Sequence, residues 1–243
     1  AAQLLGKGWL VPLTNGSVVL VDSKGGPAAQ PFVPPLQPSS LPLWTRPAVN
    51  AAGDGALVSD GRGTIYSIAL KVQPQPHLAS LASSQTDGPV TSPLVLAGST
   101  YFGVLSRESG DALAGFDAQG QSAFAPVALP GRCQAGPFAA GGLVLVATES
   151  AGLTAYEGSG KQRWQQPLAA GPLAGPPVIC PEGDLLVIHQ SGAVRRIDPA
   201  SGAELAAVNV AQPLGAAARI LGQNVFLAGS DGVVHRITLP PRP

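Results

Sequence analysis

Leu185-Leu186-Val187-Ile188-His189-Gln190-Ser191-Gly192-Ala193-Val194-Arg195-Arg196-Ile197-Asp198-Pro199-Ala200-Ser201-Gly202-Ala203-Glu204-Leu205 decides the fold. Leu185 to Ile188 is an aliphatic run bounded by turn residues, which reads as a strand. Gln190-Ser191-Gly192 turns the chain into a second strand, Ala193 to Asp198, so the pair reads as a β-hairpin. Asp198-Pro199-Ala200-Ser201-Gly202 is a second turn. Its leading Asp can bond backbone N–H groups ahead of it, and its closing Gly supplies left-handed geometry. A further strand follows at Leu205-Ala206-Ala207-Val208.

The same sequence of events recurs along the chain. A glycine closes a turn and opens a strand at Gly16, Gly63, Gly110, Gly152, Gly192 and Gly232. Each is preceded by an apolar strand: Trp9 to Val11, Ala56 to Val58, Tyr101 to Val104, Leu143 to Val146, Leu185 to Ile188 and Val225 to Leu227. The Asp/Glu-to-Gly turn recurs at Asp22 to Gly25, Asp117 to Gly120 and Glu157 to Gly160, and Gln162-Arg163-Trp164 is another strand beyond such a turn. A repeat of this length accommodates four short strands with their turns, the organisation of a propeller blade.

Upstream of every hairpin except the first lies a short strand of small residues and proline: Pro47 to Val49, Pro93 to Val95, Pro137 to Ala139, Pro177 to Ile179 and Ala216 to Ala218. The sequence therefore predicts an all-β propeller of four-stranded antiparallel blades with about six blades visible. In this reading the first blade lacks its inner strand and the last its outer strand. The expected organisation is one propeller domain over residues 1–243, forming the C-terminal part of a longer chain that supplies the missing strands. The chain opens Ala1-Ala2-Gln3, without an initiator Met.

Composition agrees with this reading. The chain has 31 Gly and 25 Pro in 243 residues and is 45% hydrophobic, so it is rich in turns yet able to build a core. Lys plus Arg equals Asp plus Glu at 14 each, and no basic cluster exceeds Arg195-Arg196, which leaves no electrostatic footprint for nucleic acid. No apolar run approaches the roughly 20 residues of a membrane-spanning helix. Cys133 and Cys180 occupy non-equivalent positions of neighbouring repeats, make no metal signature, and are expected to be unpaired structural thiols.

The pattern of aliphatic strand, Ser/Asp-Gly turn, aliphatic strand, Asp-to-Gly turn and polar strand with an occasional Trp resembles the PQQ-like, quinoprotein-type propeller repeat. Leu185 to Leu205 is similar to it over its whole length, and Trp164 sits where such repeats place a packing Trp. The copies from Gly16 and Gly63 are degraded by insertions at Pro27 to Pro42 and Val72 to Ser84. Some proteins that share the repeat are dehydrogenases holding PQQ and Ca²⁺, and the resemblance keeps that activity, or small-ligand sensing in an axial channel, as an alternative. Those enzymes are generally eight-bladed and many carry a vicinal Cys pair; here Cys133 and Cys180 are far apart in sequence.

No catalytic, cofactor or metal residue can be assigned from the sequence. Gly158-Ser159-Gly160-Lys161 lacks the earlier Gly and following Ser/Thr of a phosphate loop, since Ala155 and Gln162 occupy those positions. His77, His189 and His235 fall at different places in the repeat, and Trp9, Trp44 and Trp164 form no platform. Binding on a repeat scaffold usually resides in loops that break the period. The candidate partner-contact residues are accordingly Phe32 and Leu36 in the first insertion, with Trp44 and Arg46 after it. The expected function is a non-enzymatic scaffold that presents blade faces and insertions to other proteins or to the rest of its own chain. It is similar to the lipoprotein scaffold of the machinery that assembles outer-membrane β-barrels, and that resemblance implies the periplasm or cell envelope.

Overall fold

The computed structural model describes residues 2–35 and 41–242. Among the described residues there is no helix, and the strands form six antiparallel meanders. The first sheet contains β1 (Gln3–Leu5), β2 (Gly8–Pro12) and β3 (Val18–Val21). The second contains β4 (Ala48–Val49), β5 (Gly55–Ser59), β6 (Thr64–Lys71) and β7 (His77–Gln85). The third contains β8 (Val95–Ala97), β9 (Thr100–Arg107), β10 (Gly110–Phe116) and β11 (Val127–Ala128).

In the fourth sheet are β12 (Cys133–Ala140), β13 (Leu143–Thr148), β14 (Gly152–Tyr156) and β15 (Gln162–Gln166). In the fifth are β16 (Val178–Ile179), β17 (Leu185–Ile188), β18 (Ala193–Ile197) and β19 (Glu204–Asn209). The sixth holds β20 (Arg219–Leu221), β21 (Asn224–Ala228) and β22 (Val234–Thr238). The chain divides into two compact units, Ala1–Arg132 with Gly158–Gly160, and Cys133–Glu157 with Lys161–Pro243.

Two expectations need correction. The first sheet does have an inner strand: Gln3–Leu5 pairs with β2, Leu4 opposite Trp9, across the turn at Gly6-Lys7. Three residues of mixed polarity carry too little periodicity to be read from sequence. What the first sheet lacks is a regular outer strand. Pro27 to Phe32 runs beside β3 through isolated bridges, Val21 to Pro27 and Val18 to Phe32, because Pro27 and Pro31 have no N–H to continue a ladder. Second, most of the apparent insertion at Val72 to Ser84 is the outer strand β7, paired with β6 from His77 to Gln85. Its alternation is carried by small Ser and Ala residues and so is muted. The last sheet agrees with expectation: among the described residues no strand lies on the outer edge of β22.

The near-continuous apolar runs follow from burial on both faces of a sheet. In β17, Leu185 and Val187 join a core with Leu145, Leu153, Ala155 and Trp164. Leu186 and Ile188 point the other way, into a second core with Val225, Leu227 and Leu214. A strand whose successive side chains all leave water cannot alternate polar with apolar. Each such Leu or Ile contributes about 2 kcal/mol of transfer free energy. The first unit repeats the arrangement, with Leu10 and Leu20 against Val58 and Ile68, and Leu57 and Ile65 against Tyr101 and Phe116.

The turn chemistry is as the sequence implies. The Asp22 carboxylate accepts from the backbone N–H of Lys24 and Gly26 at 2.8 and 2.9 Å. Asp117 does the same for Gln119 and Gln121 at 2.9 and 2.8 Å. Gly202, at φ 76°, closes the Asp198 turn directly beneath the Trp164 ring, which a Cβ there would approach to 2.7 Å. Trp164 Nε1 donates to the Pro199 carbonyl at 2.7 Å, fastening the outer strand of the fourth sheet to a turn of the fifth.

Candidate functional site

The Pro-rich segment places Phe32 inward. Its backbone exchanges two hydrogen bonds with Val18, at 2.8 and 2.9 Å, and only 6% of the residue is exposed. The ring lies 5.3 Å from Tyr66 and 6.4 Å from Trp44, and Trp44 and Tyr66 are 6.1 Å apart, so three aromatics meet in tilted and edge-on geometry. Trp44 is half-buried, and its indole Nε1 is buried without a hydrogen-bond partner. Arg46 is exposed; with the Gln3 amide oxygen turned toward it, the guanidinium donates through Nη2 at 2.5 Å and through Nε. Leu36 lies outside the described residues. The structure therefore unites Phe32 with Trp44 and ties Arg46 to the first inner strand.

Around this aromatic cluster the surface is concave. A cleft of about 880 Å³ runs between the Pro-rich segment and the second sheet, with Phe32, Val33, Tyr66 and Leu78 supplying apolar wall and Asp60 and Arg62 the charge. A neighbouring cleft of about 490 Å³ is bordered by Pro12, Leu13, Leu41, Leu43 and Trp44. Arg62 Nε donates to the Leu41 carbonyl at 2.8 Å, which anchors the exit of the Pro-rich segment beside both clefts. Val33, Leu41 and Leu43 are exposed. An apolar floor of rings and aliphatic side chains with a charged rim is the composition of a protein-contact surface.

The titratable groups serve structure. Arg196, in β18, is buried and donates from Nε to Asp184 at 2.6 Å, from Nη1 to the Pro240 carbonyl at 2.6 Å and from Nη2 to Glu182 at 3.1 Å. Arg242 grips the same Asp184 carboxylate through two bonds, 2.8 and 2.6 Å. The Arg242 hydrogen bonds, followed by those of Arg196, hold the Asp184 carboxyl below its usual range against the opposing effect of burial. This network drapes the C-terminal segment over the β16–β17 turn. The sequence reading saw Arg195-Arg196 only as a basic pair. The available signal was an Arg on β18 facing Leu186, where the equivalent residue of β3, Leu20, is aliphatic.

His189 is buried, with Nδ1 2.7 Å from the Gly171 carbonyl, and desolvation pushes its pKa down. His77 stands at the exposed start of β7 beside the Gln75 carbonyl, and the His235 Nε2 is buried without a partner. Cys180 is a buried thiol whose pKa burial pushes up to about 11. Cys133 begins β12, with Sγ 3.7 Å from the Ala135 carbonyl. Among the described residues no three His, Cys, Asp or Glu side chains form a group suited to a metal ion. No described helix is long and apolar enough to cross a membrane.

Six meandering sheets, with an Asp-to-Gly turn closed by a tryptophan from the preceding sheet, define a β-propeller of the PQQ-like repeat class. Within that class, the chain belongs to the family described as outer membrane protein assembly factor BamB, whose family model matches residues 48–236. Among solved structures it is similar to BamB from Moraxella catarrhalis, at TM-score 0.62 and 16% identity, over 97% of this chain and 70% of that one. It is also similar to BBS1N, crystallised in complex with ARL6DN, at TM-score 0.64 and 15% identity, over 96% and 75% of the two chains. The computationally designed Ika8 protein matches at TM-score 0.65 and 12% identity, over 98% and 70%. These likenesses show a shared fold. No curated protein sequence matches the chain.

Proposed function

We propose that this protein is a non-enzymatic interaction scaffold of the bacterial cell envelope, acting in the periplasm or at the outer membrane by presenting sheet faces and its Pro-rich segment to other proteins. The observation that carries the reading is the match to the BamB family over residues 48–236. The aromatic-floored clefts beside Phe32, Trp44 and Arg62 support it as a surface of suitable chemistry. Mild purification of the native protein from its source, followed by mass analysis of whatever remains bound, tests the proposal. Stoichiometric envelope proteins are the expected result. A lone chain carrying a quinone or Ca²⁺ would overturn it in favour of PQQ-type chemistry.

A further inference from the structure

The repeat provides its own control for one surface. A cross-strand pair occupies the same place in each sheet: Ala56 with Ile68, Tyr101 with Phe116, Val144 with Tyr156, Leu185 with Ile197 and Val225 with Ile237. Val225 is buried and Ile237 partly so, and every member of the other four pairs is buried. In the first sheet the pair is Trp9 with Val21; Trp9 is 49% exposed and Val21 only half-buried. Leu4 beside it is exposed too, but so is its equivalent Ile179 on β16, so its exposure carries no information.

The turn that follows this pair behaves in the same way. At Gly120 a Cβ would meet Ile65 at 3.0 Å, at Gly160 it would meet the Phe124 ring, and at Gly202 the Trp164 ring at 2.7 Å. At Gly25, the equivalent position of the first sheet, nothing lies within 4 Å. The carbonyl one residue after the turn's Asp accepts a side-chain bond in two of the filled copies: Ala118 from Ser67 Oγ at 2.8 Å and Pro199 from Trp164 Nε1. Arg163 adds a bond from Nε to the Ala200 carbonyl at 3.1 Å. In the first sheet the corresponding carbonyls belong to Ser23 and Lys24, both solvent-exposed residues.

We infer that Trp9, Val11, Val21 and the Asp22–Gly25 turn form a docking site for an extended strand of another protein, one that carries an aromatic residue, preferably Trp, to lie over Gly25 and donate to the Ser23 carbonyl. The filled copies specify the occupant: an outer strand of the type Arg-Trp, with its ring on the closing glycine. A second copy of this chain lacks the matching piece at its last sheet, because among the described residues β22 has no outer strand. The inference names a surface for the scaffold reading and rests on it for the partner being a protein.

The probe is a synthetic peptide of residues 159–168, the chain's own docking strand around Trp164, titrated into the whole protein while the Trp9 indole NMR resonance is followed. Saturable binding is expected, weakened about tenfold or more when the peptide carries Trp164→Ala and when the protein carries Trp9→Lys or Val21→Lys. Unchanged circular dichroism and melting show that these variants fold. No saturable binding at millimolar peptide, or binding indifferent to both sets of changes, overturns the inference. So does concentration-dependent self-association that Trp9→Lys abolishes, since the occupant would then be a second copy. Failure here leaves co-purification as an independent test of the scaffold reading.

Discussion

Trp164 and Pro199 are 35 residues apart in sequence and joined by a 2.7 Å hydrogen bond from the indole Nε1 to the backbone carbonyl. The ring simultaneously covers Gly202 and packs with Leu153, Leu185 and Val187. One side chain thus ties the edge of the fourth sheet to the turn and core of the fifth.

Trp164→Ala removes both roles and is expected to destabilise the fold by about 3–5 kcal/mol. Trp164→Phe keeps most of the packing and loses the bond, at about 1 kcal/mol. Gly202→Ala adds a methyl group against the ring at a positive φ and should also lower the melting temperature. Urea denaturation of the three variants measures the order; equal stability of Trp164→Ala and wild type would contradict the assignment.

Arg196 is buried with Asp184 and the Pro240 carbonyl as partners. Arg196→Ala strands the Asp184 carboxylate in a buried position and is expected to cost about 3 kcal/mol or more. Because the folded pKa of Asp184 is lowered, the stabilisation it provides is fully present above the unfolded carboxyl pKa and is lost as pH falls through the folded value. A melting series from pH 7 to pH 2 should show an acid loss that is smaller in the Asp184→Asn, Arg242→Ala double variant.

His189 makes a prediction of the opposite window. Burial lowers its folded pKa, so below pH 6.5 the unfolded chain binds a proton that the folded chain refuses, and stability falls as pH drops from 6.5 toward the folded value. His189→Gln should flatten the melting temperature between pH 7 and pH 5, whereas a slope identical to wild type would show that another group titrates there.

Cys180 should resist alkylation in the native protein. With its pKa at about 11 and its side chain buried, only on the order of one thiol in ten thousand is ionised at pH 7. Mass spectrometry after brief iodoacetamide treatment is expected to find Cys180 unmodified natively and modified in denaturant.

The architecture was legible wherever a strand is apolar on both faces and ends at Asp, Gly or Asn, as from Leu185 to Gly202. It was hidden where those signals were absent. Gln3–Leu5 is too short to show a period, and β7 alternates Leu78, Ser80 and Ala82, a contrast too weak to register. The candidate site was legible in part. Proline breaks in the period pointed to Phe32 and Trp44, but their inward packing on Tyr66 depends on a residue 34 positions beyond Phe32. The Arg196 network was invisible because its partners come from a turn and from the C-terminal segment, 12 and 44 residues away.

The segment beside β3 has a last consequence. A strand edge with bare N–H and C=O groups is a template on which other chains can polymerise. Val18 and Leu20 spend those groups on Phe32 and Ala28, and the segment that receives them carries Pro27, Pro31, Pro34 and Pro35, none of which has a hydrogen to offer a further strand. Irregularity that blurs the repeat in this first copy therefore acts as a guard against amyloid-like stacking, sealing one margin of the sheet with residues that cannot pass the ladder on.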